Sequence, residues 1–167
     1  AVVGDTLANV YVPRISTGVY SWPDATVSVG NEVKTLTGVS LKFTPNDTAN
    51  YDWETAATNA GATYANGVVT CKVSVQVCAG KASYVLPENL TAVYGQTFGE
   101  VKIPSGNNAG KFEWIYSTEK TVGSVGVHTY RINYIPDDMV NYQKVTNIYV
   151  ELTVVQAVPD YVRLESI

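Results

Sequence analysis

An all-β fold is predicted by three observations: composition, period-two patterning and an internal repeat. The 167 residues include 27 Val, 18 Thr and 12 Tyr but only 7 Leu. β-branched and aromatic side chains suit a pleated, half-buried surface, whereas helices favour Leu, Ala, Glu and Lys. At 46% hydrophobic and 16% charged, the chain has enough apolar material for real cores and is not a disordered tail.

Composition also excludes functions. A net charge of −4 without a basic patch argues against nucleic acid. No apolar run approaches the roughly 18–20 residues of a membrane span, so no membrane insertion is expected. His128 is the single histidine, and no cluster of ligands around it suits zinc. A Ser-His-Asp triad would have to use that residue with nothing local to support it. No glycine-rich phosphate loop is present. We therefore expect no catalytic residues, no metal site and no cofactor, and a chain that is not an enzyme.

The repeat sets the domain organisation. Val3-Gly4-Asp5-Thr6-Leu7 and Val10-Tyr11-Val12-Pro13 match Tyr94-Gly95-Gln96-Thr97-Phe98 and Val101-Lys102-Ile103-Pro104 at an offset of 91. Gly18, Tyr20 and Trp22 match Gly110, Phe112 and Trp114 at 92. Thr44 to Tyr51 matches Ile135 to Tyr142, again at 91. Cys71, Val73, Val75 and Val77 match Ile148, Val150, Leu152 and Val154 at 77. The fall from 91 to 77 places 14 extra residues, Glu54 to Gly67, in the first copy. Rich in Ala, Thr, Asn and Gly, they predict a long surface loop with a short hairpin or helical turn.

Each copy alternates as strands do. Val39, Leu41 and Phe43 share one face, and their mates Tyr130, Ile132 and Tyr134 do the same. Ile148, Val150, Leu152 and Val154 form the apolar face of the closing strand. One apolar face per strand is what a two-sheet sandwich needs. Turn signals separate the runs at Thr44-Pro45-Asn46-Asp47, Asn66-Gly67, Gly106-Asn107-Asn108 and Pro136-Asp137.

Two tandem sandwich domains follow. Residues 1–78 form a repeat lacking its first strand and carrying the insertion. Residues 79–155 form a complete one, opening with Ser83 to Pro87 as a first strand. Residues 156–167 are a tail in the place of another repeat's start, so the chain is expected to be a piece of a longer array.

The second copy reads Tyr94-Gly95-Gln96-Thr97, Val101-Lys102-Ile103-Pro104, Phe112-Glu113-Trp114, Val122-Gly123, Gly126 to Tyr130, Pro136 to Tyr142 and Ile148 to Val154. This pattern resembles bacterial immunoglobulin-like tandem repeats of surface and secreted proteins, chiefly of Firmicutes. The resemblance covers nearly all of residues 81–155 and, more loosely, 1–77. It implies immunoglobulin-like β-sandwiches, an extracellular location, and a role as spacer or adhesive module.

The Pro-x-Asp-x-x-Asn-Tyr segments carry Asp47 in one copy and Asp137 with Asp138 in the other. One or two carboxylates are few for calcium, so we read them as turns in which Asp bonds nearby amides. Trp22 and Trp114 sit at matched positions and are expected in the cores, as buried Trp residues on central strands, rather than on a sugar platform. Trp53 has no Trp mate. With Tyr51 and Tyr64 it forms the candidate binding patch, suited to a host or cell-surface protein or a glycan. The competing reading makes it a cover over the open side of the first domain.

Cys71 and Cys78 would lie roughly 23 Å apart along one strand, at about 3.3 Å per residue. A disulfide needs less than about 7 Å, so two free thiols are expected. Lys102, Asn147 and Glu113 supply the residue types of an isopeptide link, an unfavoured option because a buried Lys without a partner is rare. Asn46-Asp47-Thr48 and Asn89-Leu90-Thr91 fit the glycosylation pattern, which we read as coincidence in a bacterial chain. The leading function is a non-enzymatic stalk or adhesin module. The alternatives are a binding module for a host protein such as immunoglobulin, and a carbohydrate-binding module attached to a larger enzyme.

Overall fold

The computed structural model describes residues 1–160. The chain is mostly β and divides into two compact units, Ala1–Gly80 and a second beginning at Lys81. The division falls within two residues of the boundary expected after residue 78.

In the first unit, β1 (Arg14–Ile15), β2 (Gly18–Ser21), β3 (Lys34–Pro45), β4 (Thr63–Ala65) and β5 (Val68–Val77) make one sheet of order β1-β2-β3-β5-β4. One α-helix, α1 (Trp53–Asn59), lies between β3 and β4 in sequence, and a short 3-10 turn spans Leu7–Asn9. β6 (Gly80–Lys81) falls on the boundary between the units. The second unit holds β7 (Leu90–Val93), β8 (Gly110–Trp114), β9 (Gly126–Pro136), β10 (Tyr142–Gln143) and β11 (Val145–Val155). Its main sheet runs β7-β11-β9-β8, with β7 parallel to β11 and the other pairs antiparallel.

Residues that align in sequence also pair alike. Val39 faces Val73 as Tyr130 faces Val150. Leu41 faces Cys71 as Ile132 faces Ile148, and Tyr20 faces Phe43 as Phe112 faces Tyr134. The parallel Val2–Cys78 bridge stands where Val93 pairs with Val155. Even the isolated bridges Thr6–Ser28 and Thr97–Thr121 correspond.

The alternation predicted for the long strands is present. Ile148, Val150, Leu152 and Val154 are buried, while their neighbours Tyr149, Glu151 and Thr153 are exposed. Ile132 and Tyr134 on the neighbouring strand β9 are buried with them, together with Phe98, Val101 and Val122 from the loops. The first unit buries Leu41, Phe43, Val75 and Val77 with Leu7 and Val29.

Four expectations differ from the structure. Ser83 to Pro87 is not a strand. The Val85 amide and carbonyl are taken by the two ends of the Asn108 side-chain amide, at 2.7 and 2.9 Å, instead of by a ladder. Val101 to Pro104 is likewise irregular, although Val101 is buried. Among the described residues no second sheet of comparable size faces the main one in either unit. Irregular segments supply buried side chains such as Ala82, Phe98 and Val122 instead, and they pair locally: the Phe98 amide donates to Lys120 O at 2.9 Å and the Val122 amide to Gln96 O at 3.0 Å. Trp114 is half-buried where a core position was expected. It closes the edge strand β8, packs on Phe98 at 5.1 Å, and donates its indole N–H to Val101 O at 2.8 Å. Trp22 is placed alike, its Nε1 3.5 Å from Val10 O.

Gln156 to Asp160 carries no regular element, and the rest of the expected tail lies outside the described residues.

Candidate functional site

The insertion begins where Asp47 organises a loop. Its carboxylate accepts from the Ala49 and Asn50 amides, each at 3.0 Å, and from Asn50 Nδ2 at 2.9 Å. Asp138 does the same with Val140 and Asn141. The Asn side-chain bond first, then the backbone bonds, hold both carboxyls below the ordinary Asp range. This is the turn reading. Among the described residues no group of three or more His, Cys, Asp or Glu is placed to hold a metal.

Asp52 then caps α1. Its side chain accepts from the Thr55 amide at 3.0 Å and the Thr55 hydroxyl at 2.7 Å, which depresses its pKa. Seven residues are too few for an isolated helix, so packing must hold it. Ala57 is buried against the sheet, and Trp53 anchors the first turn. The Trp53 indole N–H donates to Asp47 O at 2.6 Å, and its ring lies 5.5 Å from Phe43. After the helix, Asn66 and Gly67 adopt φ of 52° and 78°. Positive φ at both central residues is the two-residue hairpin turn that matches strand twist, and it joins β4 to β5 with Ala65 opposite Val68.

The three candidate residues are only partly brought together. Tyr51 and Trp53 meet at 6.2 Å. Tyr51 is 63% exposed, whereas Trp53 is half-buried and turned to the core. Tyr64 sits on β4 opposite Val69, and no ring contact joins it to either among the described residues. The patch expected from sequence is thus one exposed tyrosine beside a structural tryptophan.

A groove was missed. Between α1 and the sheet lies a cavity of about 290 Å³, lined by Ile15, Thr17, Tyr20, Phe43, Trp53, Ala56, Ala57, Ala60, Ala62, Val69 and Cys71. Its lining is almost wholly apolar. The available signal was the set of alanines at 56, 57, 60 and 62, which keeps the helix and its exit slim. Beside this opening Cys71 and Val73 are half-buried, although their mates Ile148 and Val150 are buried.

Other candidates have local roles. Cys71 lies within β5 and Cys78 directly follows it, and both are free thiols. His128 Nε2 lies 2.7 Å from Ser124 O. Glu113 binds Lys144 at 2.6 Å, which lowers its pKa, and also takes a bond from Asn133. Asn147 accepts from Arg131, and Lys102 is exposed; among the described residues no hydrogen bond joins Lys102 to Asn147 or Glu113.

The chain matches no protein-family model, no curated protein and no solved structure.

Proposed function

We propose that the chain is a non-enzymatic module of a bacterial cell-surface or secreted tandem-repeat protein, built of two immunoglobulin-like repeats and serving as a stalk that also carries an adhesive surface. The observation that carries this reading is what the two units have in common. They share ladder register, Asp loop and indole bond, which are all scaffold contacts. They do not share the groove or the helix. A duplicated frame with unduplicated ornaments fits a spacer on which one copy has gained a task, because loops vary while a scaffold persists.

The adhesive reading centres on Tyr51, whose ring is both exposed and fixed by Trp53. A rigid aromatic presented to solvent suits a protein or glycan partner, such as a host immunoglobulin or a surface polysaccharide. A carbohydrate-binding module is the second reading, favoured by the same exposed ring. Binding of the chain to a glycan array and to immobilised host secretions tests these readings. Retention that is lost in Tyr51→Ala supports adhesion, and the array identifies a glycan partner. Silence on both surfaces leaves the stalk. Retention unaffected by Tyr51→Ala contradicts the placement of the surface.

A further inference from the structure

A pocket of about 310 Å³ opens within the second unit, its lining including Lys81, Ser83, Tyr134, Asp137, Asp138 and Tyr142. Tyr134 is 1% exposed, and its ring packs on Phe112 at 5.0 Å and on Tyr84 at 5.2 Å. Its hydroxyl lies beside Gly110, where a Cβ would come within 2.7 Å of it. Among the described residues no hydrogen bond reaches that hydroxyl, and it is not sealed inside the protein. Its partner therefore has to enter from the pocket.

The duplicated frame does not need this hydroxyl. The first unit has Phe43 at the position of Tyr134 and Asn46 at that of Asp137. Phe43 makes the matching ring contact, with Tyr20 at 4.9 Å. Asn46 Nδ2 is spent on Ser16 O at 2.9 Å. The Asp137 carboxylate, by contrast, has no hydrogen bond or ion pair among the described residues, and neither do the side chains of Lys81 and Ser83. Four side chains with unused hydrogen-bonding capacity thus line one pocket.

We propose that this pocket binds one sugar unit of a glycan through its hydroxyl groups. A ligand hydroxyl accepts from the Tyr134 O–H and donates to the Asp137 carboxylate at once, whereas an ammonium only donates and a carboxylate only accepts. Burial, and next the charge of Asp137, push the Tyr134 pKa up, so the phenol remains a donor at neutral pH. Lys81 on one side and Asp137 with Asp138 on the other give the walls both signs, so an ionic ligand of either sign meets a like charge. Asp138 is already engaged with Val140 and Asn141, which leaves Asp137 as the acceptor. Tyr142 adds an aromatic wall for the apolar face of a sugar ring. The volume is at the bottom of the roughly 300–1,000 Å³ range of small-molecule sites, which suits a single ring. This site is separate from the Tyr51 surface and does not rest on it.

Amide NMR titration of the isotope-labelled full chain tests this, with the methyl glycosides of glucose, galactose and mannose and with N-acetylglucosamine as probes. At least one sugar should shift the Ser83, Ala109 and Asp137 amides and saturate with a Kd on the order of 1–10 mM. Tyr134→Phe and Asp137→Asn give the second unit residues that the first unit already folds with. They should weaken binding by about 5-fold and about 10-fold respectively, the second more because a charged acceptor is lost. Tyr51→Ala should bind at this pocket like the parent, so failure here and failure of the Tyr51 surface are told apart. Methylammonium chloride and sodium acetate at the same concentration should leave the pocket amides in place. Silence with all four sugars, parental affinity in both pocket variants, loss of the pocket response in Tyr51→Ala, or a larger response to either salt than to sugar would each overturn the proposal.

Discussion

Trp53 lies on Phe43 in the first unit at 5.5 Å, in the role that Tyr84 fills on Tyr134 in the second at 5.2 Å. Phe43 and Tyr134 are sequence mates on the central strands of their sheets. Two unrelated segments, a capped helix and an irregular stretch, thus each lay one aromatic ring on these matched residues. The insertion is first of all a cover.

The glycines that start β2 and β8 should be intolerant. A Cβ on Gly18 would overlap the Phe43 ring and lie 2.5 Å from Thr44 O. One on Gly110 would overlap Ile135 O and lie 2.8 Å from Pro136 Cα. Gly18→Ala and Gly110→Ala should each destabilise their own unit by about 1–3 kcal/mol, the usual cost of overpacking. Urea unfolding of each variant measures this, and an unchanged midpoint would show that β2 and β8 yield freely.

The indole bonds should differ in worth. Trp114→Phe removes a bond of 2.8 Å to Val101 O while keeping an aromatic ring, at a cost of about 1 kcal/mol. Trp22→Phe removes a bond of 3.5 Å and should cost less. Equal losses in the two melting curves would mean that ring volume, rather than the bond, decides.

Acid should loosen both Asp loops. The Asp47 and Asp138 carboxyls titrate below their ordinary value in the folded chain because Asn and backbone amides bond the charged form. The folded state then binds fewer protons than the unfolded one. Their contribution is complete above the unfolded value, near pH 4, and disappears as pH falls through the depressed folded value. Asp47→Asn with Asp138→Asn should be less stable than the parent at neutral pH and should lose less on acidification. Stability measured from neutral pH down to about 2.5 gives the slope, and parallel curves would remove these loops from the acid response.

Tyr51→Ala should leave melting almost unchanged, within about 0.5 kcal/mol, since its ring is mostly exposed. A large loss would make Tyr51 part of the cover along with Trp53.

The β class, the long strands and the place of the insertion were legible in the sequence because period-two alternation and residue offsets report directly on pleat and on matched positions. Ile148 to Val154 is the clearest case. The second layer was not legible. Ser83 to Pro87 has strand-like composition, but its partner is the side chain of Asn108, a contact 23 residues away that no local pattern encodes. The candidate site was half legible. Trp53 stood out for lacking a Trp mate, yet its direction depended on Asp47 O as an acceptor and Phe43 as a floor. The groove was hidden for another reason: it is made by what small alanines leave empty.

Thermal unfolding of Trp53→Ala, followed unit by unit by hydrogen exchange, tests the account most directly. If the insertion covers the first unit as Tyr84 covers the second, the first unit should lose about 2–3 kcal/mol, somewhat below the ~3–5 of a fully buried aromatic, while exchange in the second stays as in the parent. A variant whose first unit exchanges and melts like the parent's would contradict it, and would make Trp53 a surface residue after all.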